Sequence, residues 1–343
     1  MNERYTPENL WRAYRHCWFV VARSCDIDQP KVARLLDQDL VVFRDKDGNA
    51  RVTDRRCIHR GGDLSAGKVT DSGIACPYHG WSFDGESGRC TLIPSMKEGW
   101  NIPENAKIGS YPVVERYEHV WTCLDQPFFD IPAPPELDGL VLEWLPAAPI
   151  PANCGFMAAT ENFRDMAHFP FVHHETMGNV PTTIPQLDVA RDGRRLSVSF
   201  RYEQVEQAHF SSIGNAMMHY HSYAPGFAAI LYDYGDKGKR YLVDFPTPVS
   251  RDECIIHWGV AIDHKFQGGS IDDILKLETA VFDEDTPILN GLNPPEVPLT
   301  GEWLEVSCPA DVYTLNYRRA VKHVVDTILD RLDGKEGQAN AAC

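Results

Sequence analysis

Cys57-Ile58-His59 and Cys76-Pro77-Tyr78-His79, two Cys/His pairs with sixteen residues between them, decide how the first part of this chain folds. Pairs this close set both side chains at the tip of one loop, and two such loops can face each other. Two thiolates and two imidazoles suit zinc, or a two-iron cluster in which one iron takes both cysteines and the other both histidines. Zinc modules usually group like ligands together, whereas here each loop carries one of each kind. Gly61, Gly62 and Gly80 let the backbone turn tightly, so that amide groups can approach the site.

Around these loops the chain reads as strands. Leu40-Val41-Val42-Phe43-Arg44 is apolar and β-branched, and Asp45-Lys46-Asp47-Gly48 is a hairpin turn signal. A second turn signal falls at Asp84–Gly88. Val113-Val114 and His119–Leu124 read as closing strands of a strand-rich segment running from about Val20 to Cys123. Seven prolines between Pro127 and Pro151 make that passage the linker candidate. Beyond it lie a short helix over Ala158–Phe169 and strand-like material from Leu187 to Val260, including the alternating Arg195–Arg201. Two helices follow at Ile271–Leu292, with a possible kink at Pro287, and at Tyr317–Leu332. The tail after Gly334 is expected to fray.

The later part carries a second constellation, Asn162-Phe163-Arg164-Asp165-Met166-Ala167-His168-Phe169-Pro170-Phe171-Val172-His173. On an unbroken helix a five-residue step rotates by about 500°, leaving two imidazoles about 140° apart. Pro170 can break the helix and let His173 swing back towards His168. Two imidazoles and one carboxylate on one face, with other positions open, form the site of a non-haem Fe(II) that binds O2. The run Phe282–Leu289 offers Asp283, Glu284 and Asp285 as that carboxylate. Asp165, three residues before His168, can accept an imidazole N–H.

Bulk properties narrow the partners. The chain has 33 basic and 49 acidic residues, net −16, which argues against nucleic acid. No stretch approaches the roughly 20 apolar residues of a membrane helix, and the polar start does not indicate secretion, so a cytoplasmic protein is expected. Of ten cysteines, eight stand alone, and most of these read as buried free thiols. No Gly-x-Gly-x-x-Gly follows a strand, so electrons are expected from NAD(P)H only indirectly, through a separate reductase or ferredoxin. Arg51, Arg55, Arg56, Arg60 and Lys68, near the first Cys/His loop, could steer such an acidic partner.

Arg56–Gly62 together with Cys76–Trp81 resembles the Rieske domain of the ring-hydroxylating and demethylating oxygenases. Arg44, the Asp45–Gly48 turn and Ile93-Pro94 sit where that pattern expects them, and Ile58 departs from it where the family often has Pro. The N-x2-D-x2-H-x4-H run resembles the catalytic-iron motif of the same family. The resemblance implies an α+β fold: an all-β [2Fe-2S] domain at 40–130, then a catalytic mononuclear-iron domain at 131–343 with a helix-flanked antiparallel sheet of the helix-grip kind. Residues 1–39 are expected to pack on the catalytic domain.

It further implies a cluster on Cys57, His59, Cys76 and His79, and an Fe(II) on His168, His173 and Asp285, the last by the family's Glu-Asp-x-x-Ile/Val-Leu pattern. Asn162 and Asp165 are expected in the catalytic machinery. Asp165 would bridge His168 to His79 of a neighbouring subunit, which implies a homotrimer. The expected activity is O2-dependent hydroxylation or oxidative demethylation of an aromatic or heterocyclic small molecule. Aromatic cis-dihydroxylation is the alternative, and an electron-transfer protein with an idle second site the third reading. The substrate pocket is expected above the iron, from the middle strands and the late helix: His209, Phe210, Asn215, Met217, Met218, His219, His221, Phe227, Leu231 and Phe282.

Overall fold

The predicted turn at Asp45–Gly48 shows how local chemistry builds the first sheets. Asp45 Oδ1 accepts the amides of Asp47 at 3.1 Å and Asn49 at 2.9 Å, and Gly48 takes φ +85°, a conformation that favours glycine. The flanking strands Gln38–Arg44 and Ala50–Asp54 therefore return antiparallel. The computed structural model describes residues 3–137, 139–178, 180–202, 213–297, 299 and 305–334. His209, Phe210 and the tail after Gly334 lie outside the described residues.

The chain divides into two units, Arg15–Phe129 and Met1–Tyr14 with Asp130–Cys343. The smaller unit contains β1 (Phe19–Arg23), β2 (Lys31–Leu35), β3 (Gln38–Arg44), β4 (Ala50–Asp54), β5 (Lys68–Val69) and β6 (Gly73–Ala75). It continues with β7 (Ser82–Asp84), β8 (Cys90–Leu92), β9 (Ser110–Tyr111), β10 (Val113–Arg116) and β11 (His119–Thr122). They form three antiparallel sheets, ordered β1-β11-β10, β2-β3-β4-β9 and β5-β6-β7-β8. Val41, Phe43, Leu64, Ile74 and Phe83 are fully buried together, and burial stabilises each by about 1.5–3 kcal/mol. The sequence-based boundary at residue 40 does not coincide with this division. Residues 15–39 belong with the smaller unit because β1 pairs with β11 and β2 with β3.

Only the first residues join the larger unit, through α1 (Pro7–Tyr14). The larger unit also contains β12 (Leu142–Pro146), β13 (Ile150–Ala152), α2 (Phe156–Asn162), α3 (Phe169–Val172) and α4 (His174–Met177). There follow β14 (Ala190–Asp192), β15 (Arg195–Tyr202), β16 (Ala216–Tyr223), β17 (Phe227–Asp233), β18 (Lys239–Pro248), β19 (Cys254–Asp263), α5 (Ile271–Asn290) and α6 (Val312–Leu332). One antiparallel sheet runs β12-β19-β18-β17-β16-β15-β14, with β13 also paired to β19. The expected proline-rich linker thus contains two strands, which tolerate Pro146 and Pro151 because proline is admitted at sheet edges and strand ends.

Register fixes which side chains face the helices. Ser222, Ala228, Asp244 and Trp258 form one cross-strand row, and Tyr220, Ile230, Leu242 and Val260 the next on the same face. The helices cover this face: Ser222 Oγ lies 2.8 Å from Tyr313 Oη on α6, and the Trp258 ring 4.5 Å from that of Phe282 on α5. His221, Ala229, Val243 and Gly259 point to the opposite face. The start of α5 is held by a Ser270/Asp273 capping box, and Pro287 is accommodated inside it. Arg4 pairs with Asp326 and, at 2.7 Å, with Asp330, and Arg12 with Asp333 at 2.9 Å, which fastens the N-terminal segment to α6. No helix among the described residues is long and apolar enough to cross a membrane.

Candidate active site

The two Cys/His loops of the smaller unit repeat one backbone design. Cys57 N donates to Gly62 O and Gly61 N to Cys57 O, both at 2.9 Å; Cys76 N donates to Trp81 O at 2.8 Å and Gly80 N to Cys76 O at 3.0 Å. Gly61 and Gly80 both take φ +71°. Both cysteines are buried, the His59 and His79 rings lie 4.6 Å apart, and Trp81 stacks on His59 at 4.4 Å. Burial first, and then the neighbouring Cys76 thiol, pushes the Cys57 thiol up to about 11. His59 Nδ1 is buried without a hydrogen-bond partner, and a Cβ on Gly62 would stand 2.8 Å from Cys76 Sγ. Facing thiols, facing imidazoles, an orphaned ring nitrogen and a cradle that admits no extra carbon fit a two-iron cluster with split ligation.

The tips around this group are open. Ile58 is 54% exposed and Tyr78 64%. Of the five expected basic residues, Arg51 is tied to Asp45 at 2.9 Å and Arg55 to Asp63 at 2.6 Å. Arg56, Arg60 and Lys68 are exposed.

In the larger unit His168, His173 and Asp285 converge, with one ligand atom of each within 4.8 Å of the others. The Nε2 atoms of the histidines are 3.0 Å apart, and Asp285 Oδ1 lies 3.5 Å from His168 Nε2 and 3.4 Å from His173 Nε2. A point roughly 1.9 Å from all three atoms therefore exists, close to the about 2.0–2.2 Å of metal bonds to imidazole and carboxylate. The expected proline break is not what brings the histidines together. Pro170 sits in the first turn of α3, where a missing N–H costs little; His168 caps the start of that turn and His173, at φ −104° and ψ 25°, its end.

Each histidine has its own carboxylate. Asp165 Oδ2 lies 3.2 Å from His168 Nδ1, and Asp165 Oδ1 accepts Ala167 N at 2.9 Å. Glu284 Oε2 lies 2.8 Å from His173 Nδ1. Burial works to lower the His173 pKa, but Asp285 and Glu284 outweigh it and raise it. Burial likewise works to raise Asp165, and the hydrogen bonds from His168 and the Ala167 amide together outweigh it, holding Asp165 below the ordinary carboxylate range. Asn162 Nδ2 donates to Asp285 Oδ1 at 3.2 Å. Asp283, the other acid considered from the sequence, is exposed.

A cavity adjoins this group, lined by Asn162, Phe163, His168, Phe169, His173, Met177, Ile230, Tyr232, Leu242, Glu278, Val281, Phe282 and Asp285. As it stands it holds about 30 Å³, room for a molecule the size of water or O2, so a ring enters only by displacing side chains. Of the expected pocket residues described, only Phe282 is in this lining. His219, His221, Phe227 and Leu231 point to the opposite face of the sheet, Met218 is the cross-strand neighbour of the lining Tyr232 but not itself in the lining, and Asn215 and Met217 are exposed. Glu278, Val281, Phe282 and Asp285 recur at helical spacing along one face of α5, a periodicity that the sequence itself carries. Glu278 pairs with Arg240, whose guanidinium stacks on the Tyr232 ring at 3.6 Å.

Comparison with known proteins bears on the family. The profile of the Rieske [2Fe-2S] domain matches residues 17–117, and that of the vanillate O-demethylase oxygenase C-terminal domain matches residues 152–327, just over half the chain. Methylxanthine N1-demethylase NdmA of Pseudomonas putida is 26% identical over 330 residues, covering 90% of this chain and 89% of that protein. The structure of Pseudomonas putida CBB5 NdmA with caffeine superposes with TM-score 0.78 at 25% identity, covering 93% of each chain. The phenoxybenzoate dioxygenase α subunit of Ectopseudomonas oleovorans is 43% identical over 114 residues, 33% of this chain and 28% of that one. The chain belongs to the Rieske non-haem iron oxygenases, oxidoreductases that use a [2Fe-2S] cluster and a mononuclear iron, with a catalytic half of the vanillate O-demethylase type.

Proposed function

We propose that this chain is the terminal oxygenase of a multicomponent system, using O2 and reductase-supplied electrons to hydroxylate or oxidatively demethylate an aromatic or heterocyclic small molecule. The observation that carries this reading is the convergence of His168, His173 and Asp285 beside a largely apolar cavity. The relatives add the substrate class: a catalytic half of the vanillate O-demethylase type, and a methylxanthine N1-demethylase similar along most of its length.

Cys57, His59, Cys76 and His79 would hold the cluster, and His168, His173 and Asp285 the iron. Bound there, the two centres supply single electrons and an O2-activating metal with open positions. The chain's own residues do the rest. Asp165 accepts a hydrogen bond from His168 Nδ1–H, so that ring presents Nε2 to the point shared with His173 and Asp285. Asn162 donates to Asp285 and restrains its carboxylate. Phe163, Phe169, Met177 and Phe282 exclude water and offer apolar faces to a ring, while Glu278 supplies a polar anchor. In demethylation, O2, two electrons and two protons convert an N- or O-methyl group to N–H or O–H, formaldehyde and water.

In this reading Asp165, 38% exposed, connects His168 to the exposed His79 of a neighbouring copy, and the assembly is a homotrimer. The donor is a separate reductase or ferredoxin, drawing on NAD(P)H and meeting the exposed Arg56, Arg60 and Lys68. A cytoplasmic location goes with that supply. Aromatic cis-dihydroxylation is the second reading, favoured by the name of the phenoxybenzoate dioxygenase relative.

Iron and sulfide analysis with electron paramagnetic resonance tests the proposal on wild type and on His168→Ala/His173→Ala. About three irons and two sulfides per chain are expected in the wild type, with only the mononuclear iron lost in the variant. Two irons in both proteins would leave an electron carrier, and zinc in place of iron would exclude the oxygenase. Formaldehyde or a cis-diol from methoxy- and N-methyl-arenes separates the two oxygenase readings.

A further inference from the structure

Two consecutive acids of α5 serve the histidine pair from different sides. Asp285 presents Oδ1 to both Nε2 atoms. Glu284, one residue earlier and so about 100° around the helix, reaches the far edge of His173 instead. Its Oε2 lies 2.8 Å from His173 Nδ1 and accepts the Thr176 hydroxyl at 2.7 Å. His173 is 1% exposed at its side chain and Glu284 17%, so this contact is largely shielded from water.

We propose that Glu284 is the positioning residue of the mononuclear iron site: it fixes the His173 ring with Nδ1 protonated and Nε2 bare, and is not itself a ligand. The inference rests on the reading of His168, His173 and Asp285 as the ligand set. A neutral imidazole protonates one nitrogen, and a carboxylate oxygen 2.8 Å from Nδ1 demands that the proton be there. Nε2 then has its lone pair directed at the point shared with His168 and Asp285. A carboxylate behind a ligand histidine also strengthens it as a donor and stops the ring from rotating.

The two carboxylate–histidine pairs are built differently. The Asp165 contact to His168 is longer, 3.2 Å, and Asp165 is 38% exposed, which leaves that arm open at the surface. The Glu284 arm is closed. Thr176 on α4 stands three residues after His173, which caps the start of that short helix, so the turn that begins at His173 returns a hydroxyl to hold the carboxylate. Glu284 therefore ties α5 to α4 across the histidine, and the helix that supplies the ligand Asp285 also aims the ligand His173.

The test uses enzyme with its cluster intact and the mononuclear iron removed, titrated with ferrous ammonium sulfate. Glu284→Ala is expected to raise the Fe(II) dissociation constant about 10–100-fold. Glu284→Gln keeps the size and one acceptor oxygen and is expected to fall between that variant and wild type. Asp283→Asn, an exposed neighbour, serves as the unchanged control. The paramagnetic resonance signal of the nitric oxide adduct of the bound Fe(II) gives a second readout, expected to change shape in Glu284→Gln at unchanged melting temperature. A merely structural tie between helices would lower the melting temperature and leave that signal alone. Wild-type affinity and an unchanged signal in Glu284→Gln overturn the inference, even if Glu284→Ala fails to fold. His168→Ala and Asp285→Ala in the same titration separate the two claims: normal iron binding in them sinks the ligand set, whereas lost binding in them with wild-type Glu284 variants sinks only the positioning role.

Discussion

Gly61 and Gly62 are adjacent, yet alanine is expected to do different damage at each. At Gly61 the backbone has φ +71°, and a Cβ meets only the Arg56 side chain, 3.1 Å away at Nε. That guanidinium is exposed and can move, so the cost is conformational, about 1–2 kcal/mol for a left-handed alanine. At Gly62 the difficulty is space. A Cβ there stands 2.8 Å from Cys76 Sγ and 3.3 Å from Tyr78 Cβ. The first distance falls about 0.7 Å short of the lower end of a comfortable contact. Cys76 cannot retreat freely, because its own amide and carbonyl are bonded to Trp81 and Gly80. Overpacking of this kind costs about 1–3 kcal/mol, comparable to the first case. The displaced atom, however, is a cluster ligand, and metal sites tolerate only about 0.2 Å. Gly61→Ala should therefore melt a few degrees lower with about three irons and two sulfides per chain, as in the wild type, and a normal reduced-cluster signal. Gly62→Ala should lose the cluster. A Gly62→Ala protein with a full cluster and an unaltered signal would refute the reasoning, as would greater cluster loss in Gly61→Ala.

Three further outcomes follow from buried polar groups. Arg164→Met should cost about 3–5 kcal/mol in chemical denaturation, since it removes the fully buried guanidinium that serves Thr160 O and Phe227 O and leaves the Ser222 hydroxyl to its Tyr313 partner; wild-type stability would contradict this. Glu278→Leu should cost about 3–5 kcal/mol by taking the carboxylate away from the buried Arg240 charge, and Glu278→Leu/Arg240→Met should recover most of it, a coupling that a double-mutant cycle reads directly. His119 is held neutral by burial, its pKa pushed down to about 4. Its folded value lies below the unfolded one, so the unfolded chain takes up the proton first and stability falls between about pH 6.5 and 4, by about 3 kcal/mol. His119→Gln should flatten that part of the pH profile of unfolding, and an unchanged slope would count against it.

The metal-binding segments were legible because their geometry is local. Cys57 and His59 share a loop whatever the rest of the chain does, and His168 and His173 are brought together by one helical turn. What failed to read out was whatever depends on partners far along the chain. Alternation along β16 and β17 says that His219 and Leu231 share a face, but only the docking of α5 and α6 says that this is the face turned from the iron site. The boundary at residue 40 missed β1 and β2 because β1 pairs with β11, nearly a hundred residues later. Three acids in succession on α5 differ by about 100° each, and spacing alone does not say which of Asp283, Glu284 and Asp285 faces the histidines; the family pattern picked Asp285 and said nothing of Glu284. Tertiary packing assigns Glu284 to Nδ1 of His173 and Asp285 to Nε2.

The attachment of α1 to α6 has a consequence for the order in which the protein is made. The smaller unit is one continuous stretch, Arg15–Phe129, with its own buried cluster, so its contacts become available early in synthesis. The larger unit is discontinuous. Arg4, Tyr5 and Arg12 emerge first, but their partners Asp326, Asp330 and Asp333 emerge some three hundred residues later. Until then the N-terminal segment lacks its ion pairs to α6, although Tyr14 can already meet Phe156 and Glu8 Arg251, and closing so long a loop is entropically cheaper once the intervening residues are folded. The iron-bearing half is thus completed last, after the electron-carrying half has had time to fold.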